Sequence, residues 1–397
     1  MTVLFWIIVM LIALTILDVK LGQKLYCSTR KRREYPKRLS NLEFFTHGKP
    51  LFNDYFESIR QAKHHIHILF YIVKTDHISQ QFFNLLKRKA EEGVEVRLVA
   101  DWVGSFGLPR KVIRSLQESG VQFAFSQKPT FPCLLYKLNR RNHRKITVID
   151  GKIGYIGGFN IGKEYIGKDP KLGEWRDYHL KISGEGVQDL QTQFFHDWHA
   201  TTKEKLPPTA HYFPRLRYGI ITHQFVATNG RSLENDYIQL VRQAKNEIII
   251  GTPYFIPAKH VMKALLEALQ RGVKVTVLVP QKADHPFVKE AAFPYFYRLL
   301  KAGANIYRFY QGFYHAKVII IDDDICDIGT ANFDKRSFFL NSEINCYIYS
   351  TRFTKMVKAA INRDLADAEK LTLDFWRRRT LWDRGKESVS ALISGLL

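Results

Sequence analysis

Two histidine–lysine pairs carry the strongest chemical signal in the 397-residue chain. His143-Arg144-Lys145 is followed by Asp150 and then Gly157-Gly158-Phe159-Asn160, while His315-Ala316-Lys317 is followed by Asp322 and then Gly329-Thr330-Ala331-Asn332. Both read HxKxxxxDxxxxxxG(G/T)xN. A lone HxK means little, but two copies at identical internal spacing define a constellation. Lys145 to Ile149 and Lys317 to Ile321 are apolar runs of β character, so each histidine points the same way as the lysine two residues on. The candidate catalytic set is therefore His143, Lys145, Asp150, His315, Lys317 and Asp322. Within it the two aspartates have the opposite parity and stand at strand ends, where they hold turns or partner side chains. The glycines permit a tight return that brings Asn160 and Asn332 alongside as phosphate-binding groups. Two histidines, two lysines and two asparagines converging across a pseudo-twofold axis would make a site for one phosphodiester. Lysine charge and amide donors there would stabilise the extra negative charge on phosphorus in the transition state.

The elements that must position these residues are also written twice. Asn53-Asp54-Tyr55 and Gln61-Ala62-Lys63 return as Asn235-Asp236-Tyr237 and Gln243-Ala244-Lys245, displaced by 182 residues, and Gly93-Val94-Glu95-Val96 returns as Gly272-Val273-Lys274-Val275. Such self-similarity marks structural duplicates. Each half reads as helix, β-run (Ile66 to Val73; Ile248 to Phe255), helix, β-run (Val94 to Ala100; Val273 to Val279), helix and more strands, an α/β layered domain. The expected division is an anchor over 1–20, a basic linker over 21–44, repeat 1 over 45–205, a linker over 206–230 and repeat 2 with its tail over 231–397. The displacement falls from 183 at Gly120/Gly303 to 172 at His143/His315, so repeat 1 carries 11 extra residues before its histidine. They include Lys128 to Tyr136, either a lid or acyl-chain contact over the site or an ordinary surface loop.

Lys and Arg outnumber Asp and Glu 60 to 38, a formal charge of +22, so the partner is polyanionic: nucleic acid or an anionic membrane surface. The four cysteines, Cys27, Cys133, Cys326 and Cys346, show neither CxxC nor Cys/His ligand spacing, which argues against zinc and against a disulfide framework. No metal and no cofactor is expected. Val3 to Leu17 is apolar except at Thr15, and as a helix it spans ~23 Å, short of a ~30 Å hydrocarbon core but extendable by Thr2 and Val19. Charge follows the run rather than preceding it, so a single N-terminal anchor with the catalytic domains on the cytoplasmic face is expected, rather than a cleaved signal or a buried helix.

This pattern resembles the phospholipase D superfamily from about residue 45 to the C-terminus. Thr252 to Pro257, Gly329 to Asp334 with Arg336-Ser337, Asn341-Ser342-Glu343 and Gly173 to Asp177 look like its bacterial cardiolipin synthase branch. The resemblance implies two duplicated domains forming one active site and a metal-free double displacement. One histidine, His143 by analogy, attacks the phosphorus of a phosphatidyl donor, while the other, His315, protonates the leaving alcohol and then deprotonates the incoming one. Near symmetry leaves the reverse assignment open. Asp177 and Glu343 follow their histidines where the family places carboxylate partners, the alternative being surface ion pairs. The implied substrate is phosphatidylglycerol in an anionic membrane, giving cardiolipin and glycerol at the cell membrane, with no nucleic acid and no obligate protein partner. A hydrolase or a transferase using another alcohol is the nearby alternative. A nuclease is the more distant one, favoured by Lys137, Arg140, Arg141 and Arg144 around His143 and disfavoured by the anchor. Aromatic residues before His315, among them Phe287, Phe293, Phe296 and Tyr310, divide between core and an acyl groove. Phe375 to Trp382 with the apolar end Leu392 to Leu397 reads as an interfacial helix or a packing helix.

Overall fold

The computed structural model describes residues 2–26, 31–285, 288–377 and 390. In each half three parallel strands lead into an antiparallel run. Repeat 1 orders them as Gln122–Ser126, Glu95–Asp101, His65–Phe70, Ile146–Ile149, Ile153–Gly157 and Glu174–Gly184. Repeat 2 gives Asn305–Phe309, Lys274–Pro280, Glu247–Gly251, Val318–Ile321, Ile325–Gly329 and Ser342–Ile348. The β-branched run Val318-Ile319-Ile320-Ile321 suits a strand buried on both faces. Helix His77–Glu91 starts where the Asp76 carboxylate accepts from the amides of Ile78 and Ser79. Matching helix ends are closed by Gly120 and Gly303, whose φ values of 92° and 94° favour glycine.

Proline explains one departure from the expected β-runs. Ile248 to Phe255 is divided into Glu247–Gly251 and Phe255–Ile256, the second piece pairing with Phe333–Asp334, because Pro253 between them has no amide to donate. A second departure concerns the connectors. Ile221–Asn229, expected within a linker, and Arg38–His47, which crosses the expected boundary between linker and repeat 1 at residue 45, are strands that pair with Ser342–Ile348 and Glu174–Gly184 and meet each other at Ser40/Ile221. They fuse the two sheets into one. Residues of both repeats, including Leu180, Phe194, Ile320 and Phe353, share a single buried cluster between the halves. The relation of the two histidines is thereby set by core packing rather than by a hinge.

The N-terminal helix runs from Thr2 to Leu25, longer than the apolar run alone indicates. By length and composition its stretch Leu4–Leu25, 22 residues, is a candidate membrane span, of which Leu4 to Leu17 is the uncharged part. Cys133, Cys326 and Cys346 are free and buried. Cys27, Phe287, Arg378 to Trp382 and the apolar end Leu392 to Leu397 lie outside the described residues.

Candidate active site

Each histidine follows a short segment that pairs with the other repeat. The His143 amide donates to the Ser342 carbonyl at 2.9 Å and the Ser342 amide to the Arg141 carbonyl at 2.8 Å, while the His315 amide donates to the Arg176 carbonyl at 2.7 Å. This places each histidine beside the first residues of the partner repeat's last strand. The carboxylates are consequently crossed. His143 Nδ1 lies 3.0 Å from Glu343, and His315 Nδ1 lies 2.5 Å from Asp177. Neither carboxylate is a surface ion pair, since Asp177 and Glu343 are 0% and 1% exposed.

The Gly-Gly versus Gly-Thr difference between the repeats follows from this arrangement. A Cβ on Gly158 would stand 1.9 Å from Asp177 Oδ1, so only glycine leaves room for that carboxylate. At the equivalent place in repeat 2, Thr330 Oγ1 donates to Glu343 at 2.6 Å. Ser337 Oγ and Asn341 Nδ2 complete the donors around Glu343, at 3.1 and 3.3 Å.

His143, His315, Asn160 and Asn332 line one cavity of about 440 Å³, together with Tyr71, Arg141, Tyr254, Asp284 and Arg336. Asn160 spends its oxygen on the Ile72 amide, and Asn332 donates to Asp334. Lys145 and Lys317 are buried next to the histidines, each donating to the carbonyl of its own histidine. Burial pushes both imidazoles down to about 4, with Lys145 adding to the effect on His143 and Lys317 to that on His315. Burial likewise lowers Lys145 to about 7 and Lys317 to about 8. Burial alone would push the two carboxyls up. The facing lysine charges and imidazole bonds outweigh it and hold Asp177 and Glu343 below the ordinary carboxylate values. At neutral pH burial thus favours the neutral form of both imidazoles, each held by an ionised carboxylate.

Asp150 and Asp322 stand apart from this cavity, a correction to their place in the candidate catalytic set. Asp150 accepts from the amides of Lys63, His64 and His65 at 2.7–3.0 Å, and Asp322 from those of Lys245, Asn246 and Glu247 at 2.7–3.0 Å. Both sit at the far ends of the strands that begin after the lysines, roughly 16 Å along, with φ values of 52° and 53°. They close turns, as their parity suggests.

Arg144 also points away from the cavity. Its guanidinium is spent on Asp197, the carbonyls of Glu343 and Thr228, and Asn229, so it offers nothing to a nucleic acid. Arg141 is 1% exposed and paired with Asp101 at 3.0 Å, a buried ion pair that sequence position alone did not disclose. Residues 128–136 do not line the cavity; three residues on, the Asn139 carbonyl accepts from Nη2 of the cavity-lining Arg336 at 2.8 Å. Among the described aromatic residues before His315, five are core, Phe293, Phe296, Phe309, Phe313 and Tyr314, all below 9% exposed, while Tyr295, Tyr297, Tyr307 and Tyr310 are not buried.

A duplicated fold with one histidine, lysine and asparagine from each half around a common cavity defines a phospholipase D-type enzyme. Residues 55–198 and 237–365 match the family described as "Cardiolipin synthase, PLD-like domain". The chain is 44% identical to the minor cardiolipin synthase ClsB of Bacillus subtilis over 395 residues, covering 100% of this chain and 99% of that protein. It is 39% identical over 364 residues to a cardiolipin synthase of Staphylococcus aureus, covering 90% and 74%. Among solved structures, a phosphatidylserine synthase of Haemophilus influenzae shares the fold, with a TM-score of 0.70 at 16% identity over 91% of this chain and 97% of that one. The chain belongs to the cardiolipin synthase family of phospholipase D-like phosphatidyltransferases.

Proposed function

We propose that this enzyme makes cardiolipin and glycerol from two molecules of phosphatidylglycerol, on the cytoplasmic side of the membrane that its N-terminal helix crosses. The observation that carries the reading is the pair of imidazoles, one from each repeat, each backed by a buried carboxylate and facing one common cavity.

In the first step His143 Nε2 attacks the donor phosphorus as the bond to the glycerol oxygen breaks, and the departing oxygen takes a proton from His315. The entering phosphodiester anion raises the His315 pKa and so supplies its protonated form. In the second step a hydroxyl of another phosphatidylglycerol gives its proton to His315 and attacks the phosphorus, breaking the phosphorus–nitrogen bond and releasing cardiolipin. Lys145 and Lys317 balance the charge that builds on the phosphoryl oxygens, and Asn160 and Asn332 orient them. One phosphodiester replaces another, so no nucleotide is consumed. Glu343 fixes the His143 tautomer with Nδ1–H toward the carboxylate and the Nε2 lone pair toward the cavity.

Quenching in detergent at mildly alkaline pH, where a phosphorus–nitrogen bond survives, during turnover of acyl-labelled phosphatidylglycerol tests the covalent route. The label is expected on the peptide containing His143 and absent from the His143→Ala variant. Turnover with no protein-bound label in the native enzyme would contradict the reading.

A further inference from the structure

The apolar run of the N-terminal helix ends at Leu17, so the hydrocarbon boundary falls beside Asp18. At that level the helix touches the insertion of repeat 1. Asp18 Oδ2 accepts from the Tyr136 amide at 2.9 Å, Gly22 lies so close to the Tyr136 ring that a Cβ would be 2.3 Å from it, and the Tyr26 and Tyr136 rings stack at 5.8 Å. The insertion is thus held where the bilayer surface must lie.

Its side chains suit that place. Phe131 is 84% exposed and Leu135 37%. The neighbouring loop after strand Glu95–Asp101 exposes Phe106 at 72% and Val103 at 36%. Both loops leave the ends of adjacent parallel strands, Asp101 opposite Ser126. Arg141 ties them together, one guanidinium nitrogen on Asp101 and the other on the Gln127 carbonyl. The Phe106 loop also frames the catalytic cavity, since Ser105 Oγ donates to the carbonyl of Tyr71, whose ring lies 4.8 Å from that of His143. Exposed Lys128, Arg110 and Lys111 flank the apolar tips. Apolar tips among cations are the composition of an interfacial segment.

We propose that the loops carrying Val103, Phe106, Phe131 and Leu135 are pressed into the lipid surface, with an anionic bilayer as their partner, and that the anchor's contact with Tyr136 sets this edge at the membrane. Lipid then reaches the His143 side of the cavity along this edge without leaving the bilayer.

The full chain reconstituted in phosphatidylglycerol/phosphatidylcholine vesicles tests the surface directly. The fluorescence that Phe131→Trp or Phe106→Trp adds over the parent protein is expected to be quenched by lipids brominated in the acyl chains. Tryptophan at Tyr218, which is 74% exposed at the opposite strand ends, should be untouched by them. Added fluorescence at 131 and 106 that aqueous iodide quenches and bromolipid does not would overturn the proposal. A second arm rests on the phosphatidyl-transfer reading. The Phe106→Ser/Phe131→Ser variant is expected to lose about 10-fold in turnover of bilayer phosphatidylglycerol, roughly the worth of two half-buried rings. Turnover of monomeric short-chain phosphatidylglycerol should be unchanged. Equal loss on both substrates, or loss on neither, would contradict the surface. If the parent enzyme turns over neither lipid, the transfer reading fails while the quenching arm still decides the surface.

Discussion

The crossed pairing of histidines and carboxylates makes a prediction that pairing within each repeat does not. Glu343→Gln keeps the shape of the side chain but removes the charge 3.0 Å from His143 Nδ1. At an effective dielectric constant of about 20, that charge is worth roughly 5 kcal/mol to a full imidazolium at this distance. With about half of the positive charge developed in the transition state, the loss is about 2–3 kcal/mol, on the order of 10²-fold in rate. The assay uses a phosphatidyl ester of p-nitrophenol, whose leaving group departs without a proton and so bypasses the acid. A stopped-flow burst of one p-nitrophenolate per site then reports only the attack on phosphorus. Glu343→Gln should slow this burst on the order of 10²-fold, and His143→Ala should remove it. Asp177→Asn and His315→Ala should keep the burst and slow only the later steady state. Loss of the burst in His315→Ala rather than His143→Ala would exchange the two roles. With His143 established as the nucleophile, a burst slowed by Asp177→Asn and untouched by Glu343→Gln would refute the crossed arrangement.

Gly158→Ala should behave like Asp177→Asn, because the new methyl displaces that carboxylate from His315; steady-state turnover of phosphatidylglycerol, with a circular dichroism check on folding, reads the effect. Arg141→Met should lower stability by about 3–5 kcal/mol in denaturant titration, since it leaves the Asp101 carboxylate buried without its cation. The pH dependence of kcat/KM should show activity falling as pH rises through about 7 to 8, where Lys145 and Lys317 of the free enzyme shed the protons that make them useful. Protonation of His143, the nucleophile, at about 4 should set the acid limb.

The duplicated motif made the site legible because side-chain parity along a strand fixes which residues share a face. His143 with Lys145, His315 with Lys317, and the turn role of Asp150 and Asp322 all follow from that period. The partners of the histidines were not legible in the same way. Asp177 follows His143 in sequence, yet Asn142 and Tyr314 pair with the last strand of the opposite repeat, a long-range ladder that no local pattern encodes. The strands Arg38–His47 and Ile221–Asn229 were hidden by charge and by proximity to prolines. Their apolar positions, such as Leu42 and Phe225, gain meaning only once the two sheets fuse. Arg144 looked like part of a basic mouth, and its alternation to the face opposite His143 is the signal that sends it inward.

The central claim is transfer between two lipids, and the direct measurement is incubation of the purified full-length enzyme with phosphatidylglycerol as sole substrate in mixed micelles, followed by mass analysis of lipids and water-soluble products. The expected result is cardiolipin and free glycerol in equal amounts with little phosphatidic acid. Phosphatidic acid without cardiolipin would make the enzyme a hydrolase. Absence of lipid turnover alongside cleavage of DNA would contradict the account altogether.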